Sequence, residues 1–216
     1  MLRQFALLLG AALTLAAAQP VIPYDSLLVD RVGIDGVIDN EEGPEYPATY
    51  KDKASGITVH WGFDDSLIYV GLETKSRGWL AIGFGSARMD KSNMMIGYFT
   101  EDSTEVMNQV GANYAHNRSA QSDSAIREAE IDRDEETGVT AMEFSYPLRF
   151  PAGEALAVPG LEPGGAYDVI LAQNTKSISL RAKHTNYSTL KVKLAAGPPP
   201  PPPTQTQEQP EPGPQK

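Results

Sequence analysis

The sequence has no cysteine and only three histidines. Without thiols the chain cannot form disulfides, thiolate zinc sites or iron–sulfur clusters. His60, His116 and His184 lie far apart in the sequence, so no local chelating motif is present. Any metal or cofactor site must therefore be assembled from residues that only the fold brings together.

Catalytic motifs are also missing. The sequence has no G-x-S-x-G, no H-E-x-x-H, no P-loop and no G-x-G-x-x-G after a strand. The paired carboxylates Asp64-Asp65 and Glu135-Glu136 fall in predicted turns, where acidic side chains are usually solvated. The sequence therefore predicts a binding or carrier domain rather than an enzyme.

Basic residues are too few to balance the acidic ones, so the net charge is −10 and the pI is about 4.8. Such a surface repels nucleic acid and anionic lipid headgroups. We therefore expect no nucleic-acid partner, and the acidic surface suits solubility or a basic protein partner.

Long apolar runs are absent apart from one at the N-terminus. Arg3 precedes an apolar run over residues 5–15, and residues 16–18 (Ala-Ala-Ala) offer a cleavage site. The run is shorter than the roughly 20 residues that a membrane helix needs. Residues 1–18 are therefore predicted to be a signal peptide, with an uncleaved interfacial anchor as the alternative. We expect an exported protein, periplasmic, in the cell envelope or extracellular, with no direct membrane span.

The other end of the chain is rich in proline. Residues 198–203 are all proline, and Thr, Gln, Glu and more Pro follow. Because this composition cannot bury a core, residues 196–216 are predicted to be a disordered Pro/Gln-rich tail, with a docking segment for a partner as the alternative. We predict a lead-in over 19–31 and one folded domain over 32–195.

The middle of the chain contains many short apolar segments with turn signals between them. This pattern indicates the β-strands of a sandwich or barrel, and no long stretch has helical period. Residues 32–39, which are interrupted by Gly36, suit an edge strand or a β-bulge. The other predicted strands of this all-β fold are 57–63, 67–72, 79–84, 94–99, 105–114, 125–132, 139–146, 167–173 and 188–194.

The three histidines differ in sequence context. His60 lies beside Trp61 on a predicted strand and is interpreted as a satisfied core residue. His116 lies in a polar segment and is expected to be exposed. His184 stands just ahead of the last predicted strand and is the candidate ligand.

The methionines offer a sulfur donor. Met94 and Met95 share a predicted strand, so alternation turns one of them into the core. Met89 stands in a loop between Arg88 and Asp90, an unusual position for a residue that only packs. Its thioether is therefore a second candidate ligand.

Several sequence blocks together resemble the DOMON domains, in particular their haem-binding bacterial branch. The resemblance spans roughly residues 32–194. Its most specific part is the segment 78–85 (Gly-Trp-Leu-Ala-Ile-Gly-Phe-Gly) followed by 89–97 (Met-Asp-Lys-Ser-Asn-Met-Met-Ile-Gly). Further matching blocks are 34–39, 59–61, 67–72, 138–144, 147–148, 161–167 and a histidine shortly before the final strand.

The resemblance implies an immunoglobulin-like antiparallel β-sandwich with a ligand pocket formed by loops and one sheet face. It also implies that a methionine four residues ahead of an Asp or Asn, and a histidine before the last strand, hold the iron of a haem. These positions are Met89, four residues before Asn93, and His184. Because the chain has no cysteine, the haem would be non-covalent haem b.

Further cofactor-binding residues are predicted around these two ligands. Trp79, Phe84 and Met94 are expected to be pocket walls, and ordinary core packing is the alternative for each. Additional candidate walls are Met95 (in place of Met94), Ile96, Tyr98 and Ile170. Lys183, with Arg181, Arg88 and Lys91, is a candidate to pair with the haem propionates or is a plain surface charge.

A Met/His pair would fill both axial positions of the iron, which favours electron transfer over catalysis on the metal. The expected function is single-electron transfer with an unknown redox partner protein in the cell envelope. A binding module of the same fold for carbohydrate or another small ligand, without redox chemistry, is the main alternative. Copper held by Met and His is a third.

Overall fold

The computed structural model describes residues 19–41, 43–118 and 124–198, without the side chains of residues 118 and 154. The predicted signal peptide over 1–18 lies outside the described residues, as does the tail from 199 onward. No helix among the described residues is long and apolar enough to cross a membrane.

The described chain is built almost entirely from strands. One helical turn, α1 (Leu28–Arg31), and one 3-10 turn (Gly153–Ala155) accompany them. The strands are β1 (Val21–Ile22), β2 (Ala48–Asp52), β3 (Ile57–Phe63), β4 (Leu67–Thr74), β5 (Leu80–Phe84), β6 (Asn93–Phe99), β7 (Thr104–Ala112), β8 (Ala115–Arg118), β9 (Glu128–Arg133), β10 (Thr140–Pro147), β11 (Ala166–Gln173) and β12 (Asn186–Leu194).

The described strands form two sheets. One has the order β1-β12-β11-β5-β6-β7-β8 and the other β2-β3-β4-β10-β9. Neighbouring strands are antiparallel except for the short pair β1 and β12, which is parallel. The predicted all-β sandwich is therefore confirmed.

The main core lies between the two sheets. It forms because successive side chains of a strand point to opposite faces, so each strand sends every second residue inward. The five-stranded sheet contributes its largest buried side chains from β3 and β10, and the other sheet from β5 and β6. These side chains are Trp61, Phe63, Phe144, Tyr146, Leu80, Ile82, Phe84 and Met95.

Nine of the ten predicted strand segments are present with small shifts at their ends. The prediction for 32–39 is wrong, because this segment forms no strand and turns at Gly36 with a φ of +84°. Sequence patterns missed the short strands β1, β2 and β8. Of these three strands, β8 matters most for the candidate site, because it carries His116.

The N-terminal segment covers the outer face of the five-stranded sheet. Leu28, Val32 and Tyr46 from this segment form a buried cluster with Tyr69 of β4. β1 adds a strand to the other sheet through its pairing with β12. The residues predicted as a lead-in, 19–31, therefore pack as part of the sandwich.

A fully buried carboxylate, Glu143 of β10, lies beneath this covering segment. The Tyr46 hydroxyl donates to its Oε1 at 2.7 Å, and the Gly36 N–H donates to its Oε2 at 3.0 Å. Burial raises the pKa of Glu143 to about 7, although both hydrogen bonds act in the opposite direction. Glu143 therefore retains its proton at a pH where an exposed glutamate would be ionised.

Candidate ligand-binding site

The outer face of the seven-stranded sheet carries a second apolar cluster, separate from the main core. Its buried members are Trp79, Ala81, Met94, Ile96 and Met107. The outer face of a sandwich usually alternates to polar residues because it meets water. An apolar outer face is therefore a candidate place for an apolar ligand.

A cleft with two adjoining lobes lies over this cluster. The lobes have volumes of about 440 and 570 Å³, within the range of about 300–1,000 Å³ that is typical of small-molecule sites. Trp79, Met94 and Ile96 line the first lobe, and Tyr187 lines the second. The residues that line both lobes are Met89, Tyr114, Ile170, Ala172 and His184.

Met89 and His184 reach the cleft from opposite ends of the same strand pair. β5 and β11 are antiparallel, with Leu80 opposite Gln173 at one end and Phe84 opposite Val169 at the other. The loop with Met89 follows Phe84, whereas the loop with His184 follows Gln173. The two side chains therefore approach a ligand on this sheet face from opposite directions.

The Met89 loop is fixed to the end of β7. The Lys91 N–H donates to the Gly111 carbonyl at 2.9 Å, and the Gly111 N–H donates to the Ser92 carbonyl at 3.1 Å. The Asn113 N–H donates to Asp90 Oδ1 at 2.7 Å. Lys91 turns the chain with a φ of 59°, a left-handed conformation that is uncommon outside glycine. These contacts hold the loop in one conformation.

Gly111 makes this close approach possible. A β-carbon at this position would collide with the backbone carbonyl of Met89. Glycine is used where another backbone must come this near, since any side chain would exclude it. The sequence of β7 thus helps to position the thioether that precedes β6.

The loop with His184 is fixed on both sides of the histidine. Asn174 is buried, and its Nδ2 donates to the Lys183 carbonyl at 2.7 Å. On the other side, the Thr185 N–H donates to the Gln173 carbonyl at 2.8 Å. The indole N–H of Trp79 donates to the Ala182 carbonyl at 3.3 Å. Trp79 is therefore both a wall of the cleft and a support of the His184 loop.

The imidazole of His184 has the protonation state that a metal ligand requires. Its ring lies 4.6 Å from the ring of Tyr187, with the planes tilted by 53°. Burial, and to a smaller extent the charge of Lys183, lowers the pKa of His184 below its ordinary value. The imidazole is therefore neutral at neutral pH, which is the form that binds metals.

The other two histidines have different positions. His60 is buried as predicted, with Nδ1 3.1 Å from Thr49 Oγ1 and Nε2 2.8 Å from Glu73 Oε2. The prediction that His116 is exposed is wrong. His116 lies on β8, is half-buried and lines the first lobe of the cleft.

Of the predicted pocket walls, Met94 faces the cleft, whereas Met95 and Phe84 face the main core. Met94 lines the first lobe, while its neighbour Met95 belongs to the core, so alternation separates them as expected. Phe84 was predicted as a wall, but it belongs to the main core and does not line the cleft. It follows Ile82 and Leu80 on the inward face of β5, so its ring points away from the cleft.

The cationic residues near the ligands are only partly at the cleft. Arg181 and Lys183 line the first lobe, and Arg88 lines the second. Lys91 is not among the lining residues and contributes its backbone to the Met89 loop. In the described part of the chain, no three His, Cys, Asp or Glu side chains group together to hold a metal ion.

The fold and the cleft define a β-sandwich domain with an apolar cleft on one outer sheet face. A family model of the DOMON domain matches residues 53–174, more than half of the chain. The chain belongs to the DOMON domain family. No curated protein matches it.

Three solved structures are similar to the chain. The cytochrome b domain of pyranose dehydrogenase from Coprinopsis cinerea is 13% identical, with a TM-score of 0.48 over 68% of this chain and 87% of that one. The cytochrome domain of Myriococcum thermophilum cellobiose dehydrogenase is 19% identical, with a TM-score of 0.45 over 70% and 91%. A family 9 carbohydrate-binding module from Caldicellulosiruptor kristjanssonii, in complex with cellotriose, is 12% identical, with a TM-score of 0.40 over 83% and 94%.

Proposed function

We propose that this DOMON domain binds one non-covalent haem b in the cleft, with Met89 and His184 as axial ligands, and serves in single-electron transfer. The observation that carries the proposal is that a thioether and a neutral imidazole line one apolar cleft from opposite ends of a strand pair. This donor set fits the axial positions of a haem iron.

The residues around the two donors also fit a haem. Trp79, Met94 and Ile96 offer an apolar wall, and burying such surface contributes about 25 cal/mol per Å². Arg181 and Lys183 line the same lobe and would pair with the carboxylates of a haem. A propionate at this position would need such cations, because the protein as a whole carries a net charge of −10.

When bound, haem iron supplies one-electron chemistry by alternating between its ferrous and ferric states. Met89 would favour the ferrous state through its soft sulfur, so the pair would raise the reduction potential relative to two nitrogen ligands. If Met89 and His184 both held the iron, no position would stay open for oxygen or substrate. The partner would be a redox protein of the cell envelope, and export would depend on the predicted signal peptide.

The direct test is a titration of purified protein with ferric haem. We expect one equivalent to bind and to give a Soret band, with sharp α and β bands after reduction. Six-coordinate low-spin spectra in both oxidation states would support the Met/His pair. A protein that stays colourless with excess haem would contradict the proposal.

Asn174 offers a prediction about the support of the ligand. Asn174→Ala removes the hydrogen bond to the Lys183 carbonyl and the two bonds that its Oδ1 accepts from the N–H groups of Lys176 and Ser177. We expect haem affinity to fall about 10-fold, because residues that orient a metal ligand typically contribute 10- to 100-fold. Competition with apomyoglobin for haem measures this change, and unchanged affinity would show that the loop holds His184 without Asn174.

A carbohydrate ligand is the second candidate, and exposed aromatic rings at the cleft favour it. Tyr114 is 99% exposed and Tyr187 is 63% exposed, and both line the second lobe. Such rings offer apolar faces with a polar edge, as sugar-binding surfaces require. Calorimetry with cello-oligosaccharides separates the candidates. Binding that Tyr187→Ala abolishes, in a protein that takes up no haem, would favour the sugar.

A further inference from the structure

A third donor lines the cleft beside the two predicted ligands. His116 of β8 is the cross-strand partner of Gly111, so the two residues face the same side of the sheet. Gly111 is the residue against which the Met89 carbonyl packs. His116 therefore lies on the Met89 side of the cleft, whereas His184 comes from the opposite end of β5 and β11.

The ring of His116 is held by a buried amide. Its Nδ1 is in hydrogen-bond contact with Oε1 of Gln109, which is 5% exposed. The amide nitrogen of Gln109 contacts the sulfur of Met107, which leaves the amide oxygen toward the histidine. With the amide oxygen on this side, the tautomer assigned to His116 has the proton on Nδ1 and the lone pair on Nε2, since an amide oxygen only accepts.

This arrangement is the one that metal-binding histidines usually have. A ligating imidazole typically donates its other ring N–H to a carbonyl or carboxylate oxygen, which fixes the tautomer and the ring orientation. His116 has this support from Gln109. Burial lowers the pKa of His116, so the ring is neutral at neutral pH.

The strand that carries His116 lies at the margin of the described sheet. Among the described strands β8 pairs with β7 alone, so it forms an edge of the sheet. The turn between the two strands contains Asn113 with a φ of 56° and the exposed Tyr114. β8 thus has a neighbouring strand on one side only, while the turn stays bonded to the Met89 loop through Asn113.

We propose that His116 is a reserve nitrogen ligand of the cleft, which takes the position opposite His184 when the sulfur of Met89 is removed. This inference rests on the proposed haem site. The exchange transfers no electron: the iron–sulfur bond is absent and a bond from the Nε2 lone pair to iron forms, while Nδ1 keeps its proton. Loss of Met89 then yields a haem with two imidazole ligands instead of an open coordination position.

The experiment compares Met89→Leu, His116→Ala and the double variant, each reconstituted with haem. Leucine has nearly the volume of methionine but no donor atom, so the loop should keep its packing. We expect Met89→Leu to remain six-coordinate and low-spin by electron paramagnetic resonance, with a lower reduction potential because sulfur is replaced by nitrogen. The double variant should be high-spin. His116→Ala alone should stay six-coordinate and low-spin because Met89 and His184 remain, with any loss confined to haem affinity since His116 lines the cleft.

Three results would overturn the inference. They are a high-spin Met89→Leu protein with the spectrum of the double variant, loss of haem from Met89→Leu, and an altered axial ligand in His116→Ala. Met89→Ala provides an independent second variant if the leucine protein does not fold, and exogenous imidazole should restore the low-spin signal in the double variant only. A wild-type protein without haem would instead refute the proposed function itself, so the two failures are distinguishable.

Discussion

Replacing His184 by alanine is expected to lower haem affinity by more than about 100-fold. Residues that only orient a metal ligand contribute 10- to 100-fold, and removal of the ligand itself should cost more. His116 should not compensate, because it lies on the Met89 side of the cleft. The remaining complex should be five-coordinate, with a high-spin spectrum.

The matched control for this variant is Met94→Ala. Met94 lines the same lobe as His184 but is predicted to be a wall rather than a ligand. Its replacement should weaken haem binding through lost apolar contact and leave the low-spin spectrum unchanged. Haem titrations followed by absorption measure both variants, with circular dichroism to verify the fold. If Met94→Ala changes the axial ligands and His184→Ala does not, the ligand assignment is wrong.

Replacing Glu143 by glutamine is expected to remove a pH dependence of stability of about 3 kcal/mol. The pKa of Glu143 is raised from 4.5 to about 7 in the folded protein, mainly by burial, and each pKa unit corresponds to 1.36 kcal/mol. Between these two values the folded state binds more protons than the unfolded state. The free energy of unfolding therefore falls as the pH rises from about 4.5 to about 7.

Burial raises the pKa values of the neighbouring groups Glu45 and Tyr46 as well, so neither offsets the effect of Glu143 on stability. Burial also raises the pKa of Glu45, which accepts hydrogen bonds from the N–H groups of Gly33 and Asp39. Burial raises the pKa of Tyr46 as well, so its hydroxyl stays protonated and continues to donate to Glu143. Ionised Glu143 thus has no cation as a partner among these neighbours, which is why its charge is costly.

Urea unfolding at several pH values tests this prediction. The stability difference between Glu143→Gln and the wild type should grow by about 3 kcal/mol in favour of the variant between pH 4.5 and pH 8. Glu136→Gln, in an exposed turn, is the control and should follow the wild type. If the free energy of unfolding of Glu143→Gln falls with pH as steeply as that of the wild type, another group is responsible for the pH dependence.

Alternation of apolar and polar residues predicted most strands, because period two is a local property of a chain with one face buried. It also predicted that Met94 and Met95 separate. The same rule shows why Trp79 and Phe84 do not line one pocket: five positions apart along one stretch, they fall on opposite faces. The error lay in assigning a face to Phe84, since both faces of β5 are apolar and pattern alone does not distinguish them.

The position of His116 could not be predicted from the sequence pattern. Its segment, Ala115–Arg118, is polar, and nothing in its composition indicates burial. The burial comes from Gln109 on the neighbouring strand and from a cleft whose other walls, apart from Tyr114, are 20 to 68 residues away in sequence. Contacts of this kind depend on the sheet order, which places β5, β6, β7 and β8 side by side.

The sequence by itself determined most of the strands, the all-β class and the family, because these follow from local alternation and from short motifs. It also singled out Met89 and His184 by their loop contexts. Only the tertiary structure decided that both line one cleft, which face of β5 is the wall, that His116 is half-buried and that Glu143 is buried. The physical reason is that burial and hydrogen bonding between distant residues arise from how the strands pair and how the sheets are covered, which no local pattern encodes.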